Sequence, residues 1–191
     1  MESYICDKCL FMVNVGEIID KFYPCDNELK RIFLVHAKKV ASLSLEFASR
    51  HPELGLDLEF VEEAAMLHDI GIFLCDAPRI YCFGEKPYIC HGYQGAELLR
   101  SLGLPKHASV CERHTGTGLT KGIIGREGWP LPLEDFIPIT LEEQLICFAD
   151  KFYSKTKHLE VPRTLEMVRE SMRKISDESL KKIDVWAKMF M

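Results

Sequence analysis

Residues 64–71 of the chain read Ala64-Ala65-Met66-Leu67-His68-Asp69-Ile70-Gly71, which places an imidazole beside a carboxylate. The apolar residues before this pair predict a buried helix end, where desolvation of two such polar groups is unfavourable. A bound cation would offset that cost, because neutral imidazole and carboxylate are ligands that suit divalent metal ions. The stretch therefore predicts a helical protein that holds a metal ion.

Apolar residues at helical spacing predict further helices on both sides of this stretch. One helix should run from Asn27 to about Arg50, and Asp57 should cap the helix that leads into His68. Other helices are predicted near residues 91–102, 105–114, 140–151, 162–175 and 177–190. Segments 73–90 and 125–139 have no clean period and are predicted to be long loops. The fold class predicted from this pattern is all-α.

Length and composition indicate a single domain. The chain has 191 residues, 47% of them hydrophobic, which is enough for one well-buried core and too little for two. We expect an amino-terminal extension over residues 1–25 and the main helical domain over residues 26–160. The carboxy-terminal helices, residues 161–191, should pack on the same domain.

Charge and hydropathy exclude several classes of partner. The net charge is −5 and the charges are interspersed, so no basic face for nucleic acid is expected. No apolar run approaches the roughly 20 residues that span a bilayer, so no membrane association is expected. The first residues carry acids where a signal peptide carries bases, which predicts a cytoplasmic protein.

Most of the eight cysteines stand singly, as free thiols in a reducing compartment do. Cys6 and Cys9 form a C-x-x-C pair, but the chain lacks the second pair that a structural zinc site needs. We therefore favour a packed or mobile amino-terminal extension over a zinc or redox site at this pair.

A set of histidines and aspartates falls within or at the ends of the predicted helices. Its members are His36, His68, Asp69, His91, His114 and Asp150. A lone histidine at an apolar position is more often a hydrogen-bonded core residue than a ligand. Five helices that each carry such a residue favour a shared metal site, because helical proteins build metal sites from facing helices in this way.

The order of these residues resembles the signature of the HD superfamily of metal-dependent phosphohydrolases: His36, then His68-Asp69, then a distant Asp150. The resemblance covers roughly residues 30–155. His91-Gly92-Tyr93 and Arg113-His114-Thr115 look like the two extra histidine motifs of binuclear HD enzymes, which include dinucleoside polyphosphate hydrolases and cyclic-dinucleotide phosphodiesterases. Gly118 to Lys151 is similar to a small, uncharacterised prokaryotic group of HD proteins. One departure is Ile72-Phe73, where the binuclear relatives often carry lysine, and this puts transfer of their substrates in doubt.

The resemblance implies a single-domain helical bundle with a metal site in its core. His36, His68, Asp69 and Asp150 would bind one divalent metal ion, and Asp69 would bridge to a second ion held by His91 and His114. Fe, Mn, Zn, Ni and Co all suit such ligands. Asp69 would also be catalytic, because it would orient the hydroxide that attacks phosphorus.

The expected activity is hydrolysis of a phosphoester or phosphoanhydride in a small nucleotide-like substrate. Lys151, Arg113 and Lys121 are candidates to bind its phosphate, while Arg79 and Lys86 lie in a segment that could cover the site. Two alternatives remain open: a non-catalytic module that binds or senses nucleotides, and a di-iron oxygenase. The apolar carboxy-terminal helix could pack on the domain or on a second copy, which would form a homodimer.

Overall fold

A computed structural model describes residues 13–156 and 158–191, and in this part the fold is all-α with a small accessory sheet. The all-α prediction is confirmed. The helices are α1 (Val15–Phe22), α2 (Glu28–Arg50), α3 (Leu58–Leu67), α4 (His91–Ser101), α5 (Pro105–Arg113), α6 (Lys121–Glu127), α7 (Leu141–Asp150), α8 (Leu165–Arg173) and α9 (Asp177–Phe190). The Cys6–Cys9 pair lies outside the described residues, so the interpretation of that pair stays a prediction.

Side-chain caps begin the helices where the sequence predicts them. Asn27 Oδ1 accepts a hydrogen bond from Lys30 N at 3.0 Å, and Asp57 Oδ1 accepts one from Phe60 N at 3.1 Å. Each cap satisfies a backbone N–H that the first turn of a helix leaves unpaired. These two caps fix the starts of α2 and α3, the helices that carry the first predicted ligands.

A three-stranded sheet occupies part of the segment predicted to be a loop. The central strand β1 (Cys75–Ala77) pairs antiparallel with β2 (Cys82–Phe83) and parallel with β3 (Lys86–Pro87). Strands of two or three residues are too short for an alternating pattern to show in the sequence. The loop predictions are thus wrong here, and also at residues 125–127, which belong to α6.

The first and the last described helices, α1 and α9, both pack against the core. In α1 Ile19 is buried, and the hydroxyl of Tyr23, the residue after that helix, donates a hydrogen bond to the Ile70 carbonyl at 3.1 Å. In α9 Trp186 and Phe190 are buried against Phe148 of α7. No described helix is both long and apolar enough to cross a membrane.

Glycines allow main-chain contact between the turn after Asp69 and α4. A Cβ atom at Gly71 would lie 2.4 Å from both Gly95 N and His91 O. A Cβ atom at Gly95 would lie 2.5 Å from Cys111 Sγ on α5. Only glycine at position 71 permits the two backbones to approach this closely, and glycine at position 95 leaves room for the Cys111 side chain, so these two residues bring Asp69, α4 and α5 together.

Candidate metal centre

Five helices bring the six predicted ligands to one buried place. They are His36 in α2, His68 and Asp69 just after α3, His91 at the start of α4, His114 just after α5 and Asp150 at the end of α7. Each is at most 8% exposed. Burial of so many ionisable groups together is unfavourable unless charges within the cluster compensate one another.

Four of these residues form the first ligand group: His36, His68, Asp69 and Asp150. His36 Nε2 lies 3.2 Å from Asp69 Oδ2 and 2.9 Å from Asp150 Oδ1. His68 Nε2 lies 3.2 Å from Asp69 Oδ2 and 3.5 Å from Asp150 Oδ1. Two imidazole nitrogens and two carboxylate oxygens thus surround one point, which could hold a divalent ion.

The second ligand group consists of Asp69, His91 and His114. Both Nε2 atoms lie 3.4 Å from Asp69 Oδ1, and they are 3.0 Å from each other. Asp69 therefore presents Oδ2 to the first group and Oδ1 to the second. A carboxylate in this position could bridge two metal ions.

Backbone carbonyls fix which nitrogen of three of the imidazoles faces the centre. The Nδ1 atoms of His68, His91 and His114 lie 2.6, 2.7 and 2.6 Å from the carbonyl oxygens of the residues three positions earlier. A carbonyl only accepts hydrogen bonds, so Nδ1 carries a proton, and in the neutral form of each ring the Nε2 lone pair faces the centre. Outer partners of this kind orient histidines that bind metals.

The donor set fits divalent metal ions. With Nδ1 protonated, the neutral rings of His91 and His114 point two lone pairs at each other, and neither can donate a hydrogen bond to the other. Within the described chain, Asp69 Oδ1 also lacks a hydrogen-bond donor. Buried polar atoms without hydrogen-bond partners are typical of a site that binds a ligand. Nitrogen and oxygen donors suit Fe, Mn, Zn, Ni or Co.

Electrostatics keep two of the histidines neutral. Burial lowers the pKa of His91 to about 3 and also lowers the pKa of His114. Burial acts in the same direction on His68, but the carboxylates of Asp69 and Asp150 raise its pKa to about 9. At neutral pH His91 and His114 are ready to bind a metal ion, whereas His68 must first lose a proton.

Metal affinity should therefore rise with pH. Well below pH 9 metal binding must displace the proton of His68, so the association constant should increase about tenfold from pH 7 to 8, less steeply from pH 8 to 9, and then level off. Competition with a chelator of known affinity at pH 7, 8 and 9 measures this slope. An association constant that stays the same over this interval would contradict the assignment of His68.

Two lysines compensate the carboxylates, and one of them was not predicted. Lys151 Nζ lies 2.6 Å from Asp150 Oδ2 and donates a hydrogen bond to the His114 carbonyl. Lys155 Nζ, the unpredicted one, lies 2.7 Å from Asp69 Oδ2 and 3.9 Å from Asp150 Oδ1. Burial raises the pKa of the Asp69 carboxyl, but Lys155 and His68 hold it well below its usual range.

The other two predicted phosphate contacts face elsewhere. Arg113 Nη1 lies 2.9 and 3.1 Å from the carboxylate oxygens of Glu143. Lys121 is exposed at the start of α6, where its backbone N–H bonds Asp135. Among the described residues, neither side chain contacts the six ligands, and a phosphate role for them stays a prediction.

Comparison with known proteins identifies the class of this fold and site. The model of the HD domain family matches residues 33–154 of the chain, which include both aspartates and all four histidines of the centre. The chain belongs to the HD domain family.

The relatives show that the domain occurs in proteins of different length. An uncharacterised protein of Methanocaldococcus jannaschii is 35% identical over 151 residues, which cover 78% of this chain and 81% of that protein. Two proteins named tRNA (cytidine(56)-2′-O)-methyltransferase, from Thermoplasma volcanium and Picrophilus torridus, are 28% and 26% identical. The matches cover 78% and 81% of this chain but only 39% and 43% of those proteins. No solved structure matches.

Proposed function

We propose that the protein is a metal-dependent phosphohydrolase that cleaves a phosphoester or phosphoanhydride bond in a small, nucleotide-like substrate. The observation that carries this proposal is the position of Asp69, whose two oxygens face two separate groups of ligands. Two-metal sites of hydrolases that act on phosphates hold their ions roughly 3.5–4 Å apart, a spacing that one bridging carboxylate can span.

The residues of the chain would then have distinct tasks. His36, His68 and Asp150 would hold one metal ion, His91 and His114 the other, and Asp69 both. When bound, the ions would polarise a phosphate oxygen and lower the pKa of a water molecule toward about 7. The burial of every ligand keeps bulk water away from these charges, which strengthens their effect on a bound phosphate.

The methyltransferases among the relatives give little support for a methyl-transfer activity in this chain. This chain spans about two fifths of their length, so most of each relative lies outside the match. The match therefore does not extend to this chain the methyl-transfer activity in their name. The two ligand groups of this chain, which share Asp69, instead support a hydrolase.

The proposal is tested by metal analysis combined with a substrate panel. We expect metal-replete protein to release phosphate from at least one member of a panel of nucleotides, dinucleoside polyphosphates and phosphomonoesters. Protein stripped with a chelator serves as the control and should be inactive until metal is restored. Bound metal without phosphate release would favour the binding module, and oxygen consumption would favour the oxygenase. Metal-free protein after metal loading would overturn the proposal.

A further inference from the structure

A cavity of about 320 Å³ adjoins the metal centre. Its lining residues are Ala77, Arg79, Ile80, Tyr88, Lys155 and Thr156. Lys155 connects the cavity to the centre, because the same ammonium group contacts Asp69. The volume lies within the roughly 300–1,000 Å³ typical of small-molecule sites.

Tyr88 connects this cavity to the second ligand group. Its ring stacks on the imidazole of His91 with centroids 4.6 Å apart and an interplanar angle of 19°. Tyr88 and Lys155 both line the cavity. The cavity is therefore one side chain away from each ligand group, from Asp69 through Lys155 and from His91 through Tyr88.

The charges around the centre favour a dianionic ligand. Lys151 and Lys155 each lie within 3 Å of one carboxylate, at 2.6 Å from Asp150 and 2.7 Å from Asp69. The two ammonium groups balance the total charge of the two carboxylates, whichever oxygen Lys155 contacts, so the charge of bound divalent ions would remain uncompensated. A phosphomonoester carries nearly two negative charges at pH 7 and a phosphodiester only one, so the monoester is the better counterion.

We propose that this cavity binds the organic group of a small phosphomonoester while Lys155 contacts its phosphoryl group. The proposal rests on the proposed function and narrows its substrate class. The flexible stem of lysine lets the ammonium group turn from Asp69 to a phosphate oxygen beside it. Ala77 and Ile80 offer apolar surface to a sugar or base, and Arg79 adds a positive charge on the exposed side.

Ligand binding without turnover tests the contact with Lys155. Two ligands are titrated calorimetrically into metal-replete protein: orthophosphate and the phosphonate analogue of AMP. The analogue lacks the scissile ester oxygen. In Lys155→Met both should bind at least about tenfold more weakly, as expected for loss of a charge-assisted hydrogen bond. Metal content should be retained. Lys38→Met, on an exposed face of α2, is the matched control and should bind as wild type. Unchanged orthophosphate affinity in Lys155→Met would overturn the contact.

A second variant tests the cavity itself. Thr156 is an exposed lining residue, so Thr156→Trp should fill the cavity and leave the fold intact. We expect the AMP analogue to bind about tenfold more weakly and orthophosphate to bind as before, since only the analogue has an organic group. Unchanged binding of the analogue would overturn the cavity as a subsite, whether or not Lys155→Met folds.

Hydrolysis assays separate this inference from the proposed function. p-Nitrophenyl phosphate should be cleaved faster than bis(p-nitrophenyl) phosphate, and a preference for the diester would contradict the charge argument. If no phosphoester is cleaved but both variants weaken binding as expected, the subsite stands and the hydrolase proposal fails. If hydrolysis occurs and both variants bind as wild type, the hydrolase proposal stands and the subsite fails.

Discussion

The Asp69→Asn variant is expected to bind neither metal ion tightly and to lose at least about 10³-fold in hydrolytic rate. The substituted amide lacks the negative charge and offers one oxygen where two are needed to bridge the groups. Metal ions contribute several kcal/mol of transition-state stabilisation, and each 1.36 kcal/mol corresponds to a factor of ten in rate. Elemental analysis and kcat on the best substrate of the panel measure the two effects.

The control for Asp69→Asn is a variant of a metal-binding residue that belongs to only one ligand group. His91→Ala should halve the metal content, because His91 Nε2 faces Asp69 Oδ1 and His114 and belongs to the second ligand group alone. His51→Ala, at a histidine that pairs with Glu53 outside both groups, should retain all the metal. Equal metal content in Asp69→Asn and His91→Ala would show that Asp69 does not bridge two ions.

The Gly71→Ala variant adds only one methyl group, but we expect it to lower the free energy of unfolding by about 2–3 kcal/mol. That methyl would lie 2.4 Å from Gly95 N and His91 O, which are main-chain atoms and cannot rotate away. Forced overpacking of this kind typically costs about 1–3 kcal/mol. Chemical denaturation measures the loss, and metal analysis should show weaker retention of the ion held by His91 and His114.

Gly122→Ala is the matched control for this glycine. A Cβ atom there would have Thr120 Oγ1 as its nearest contact, at 3.8 Å, and the residue lies inside α6. Alanine favours a helix over glycine by up to about 1 kcal/mol, so the variant should be as stable as wild type or slightly more stable. A Gly71→Ala protein with the stability of Gly122→Ala would refute the close contact.

The helices and the ligand groups could be predicted because each has a local signal. Asn27, Asp57 and Thr140 cap helices where they were expected, since a capping side chain bonds a backbone N–H only a few residues away. His68 and Asp69 follow an apolar helical run, and their burial conflicts with their polarity. Such conflicts between residue type and surroundings are typical of functional sites.

The role of Lys155 could not be predicted because it depends on tertiary structure alone. The residue lies beyond the end of α7, where no helical period relates it to Asp150, and nothing in its neighbourhood marks it as a partner of Asp69. Arg113, beside His114, had the stronger sequence signal, yet it pairs with Glu143. The short strands around Cys75 and Cys82 escaped prediction because two or three residues carry too little pattern.

The carbonyl contacts of the three histidines determine which substitutions leave the metal centre unchanged. Ala65, Tyr88 and Cys111 orient the imidazoles through main-chain oxygens, which every amino acid possesses. Substitution at these positions can therefore leave the tautomer of each histidine unchanged, provided the local backbone keeps its path. The nitrogen that faces the centre thus depends on the path of the backbone and not on these three side chains, so a replacement that packs equally well would leave it unchanged.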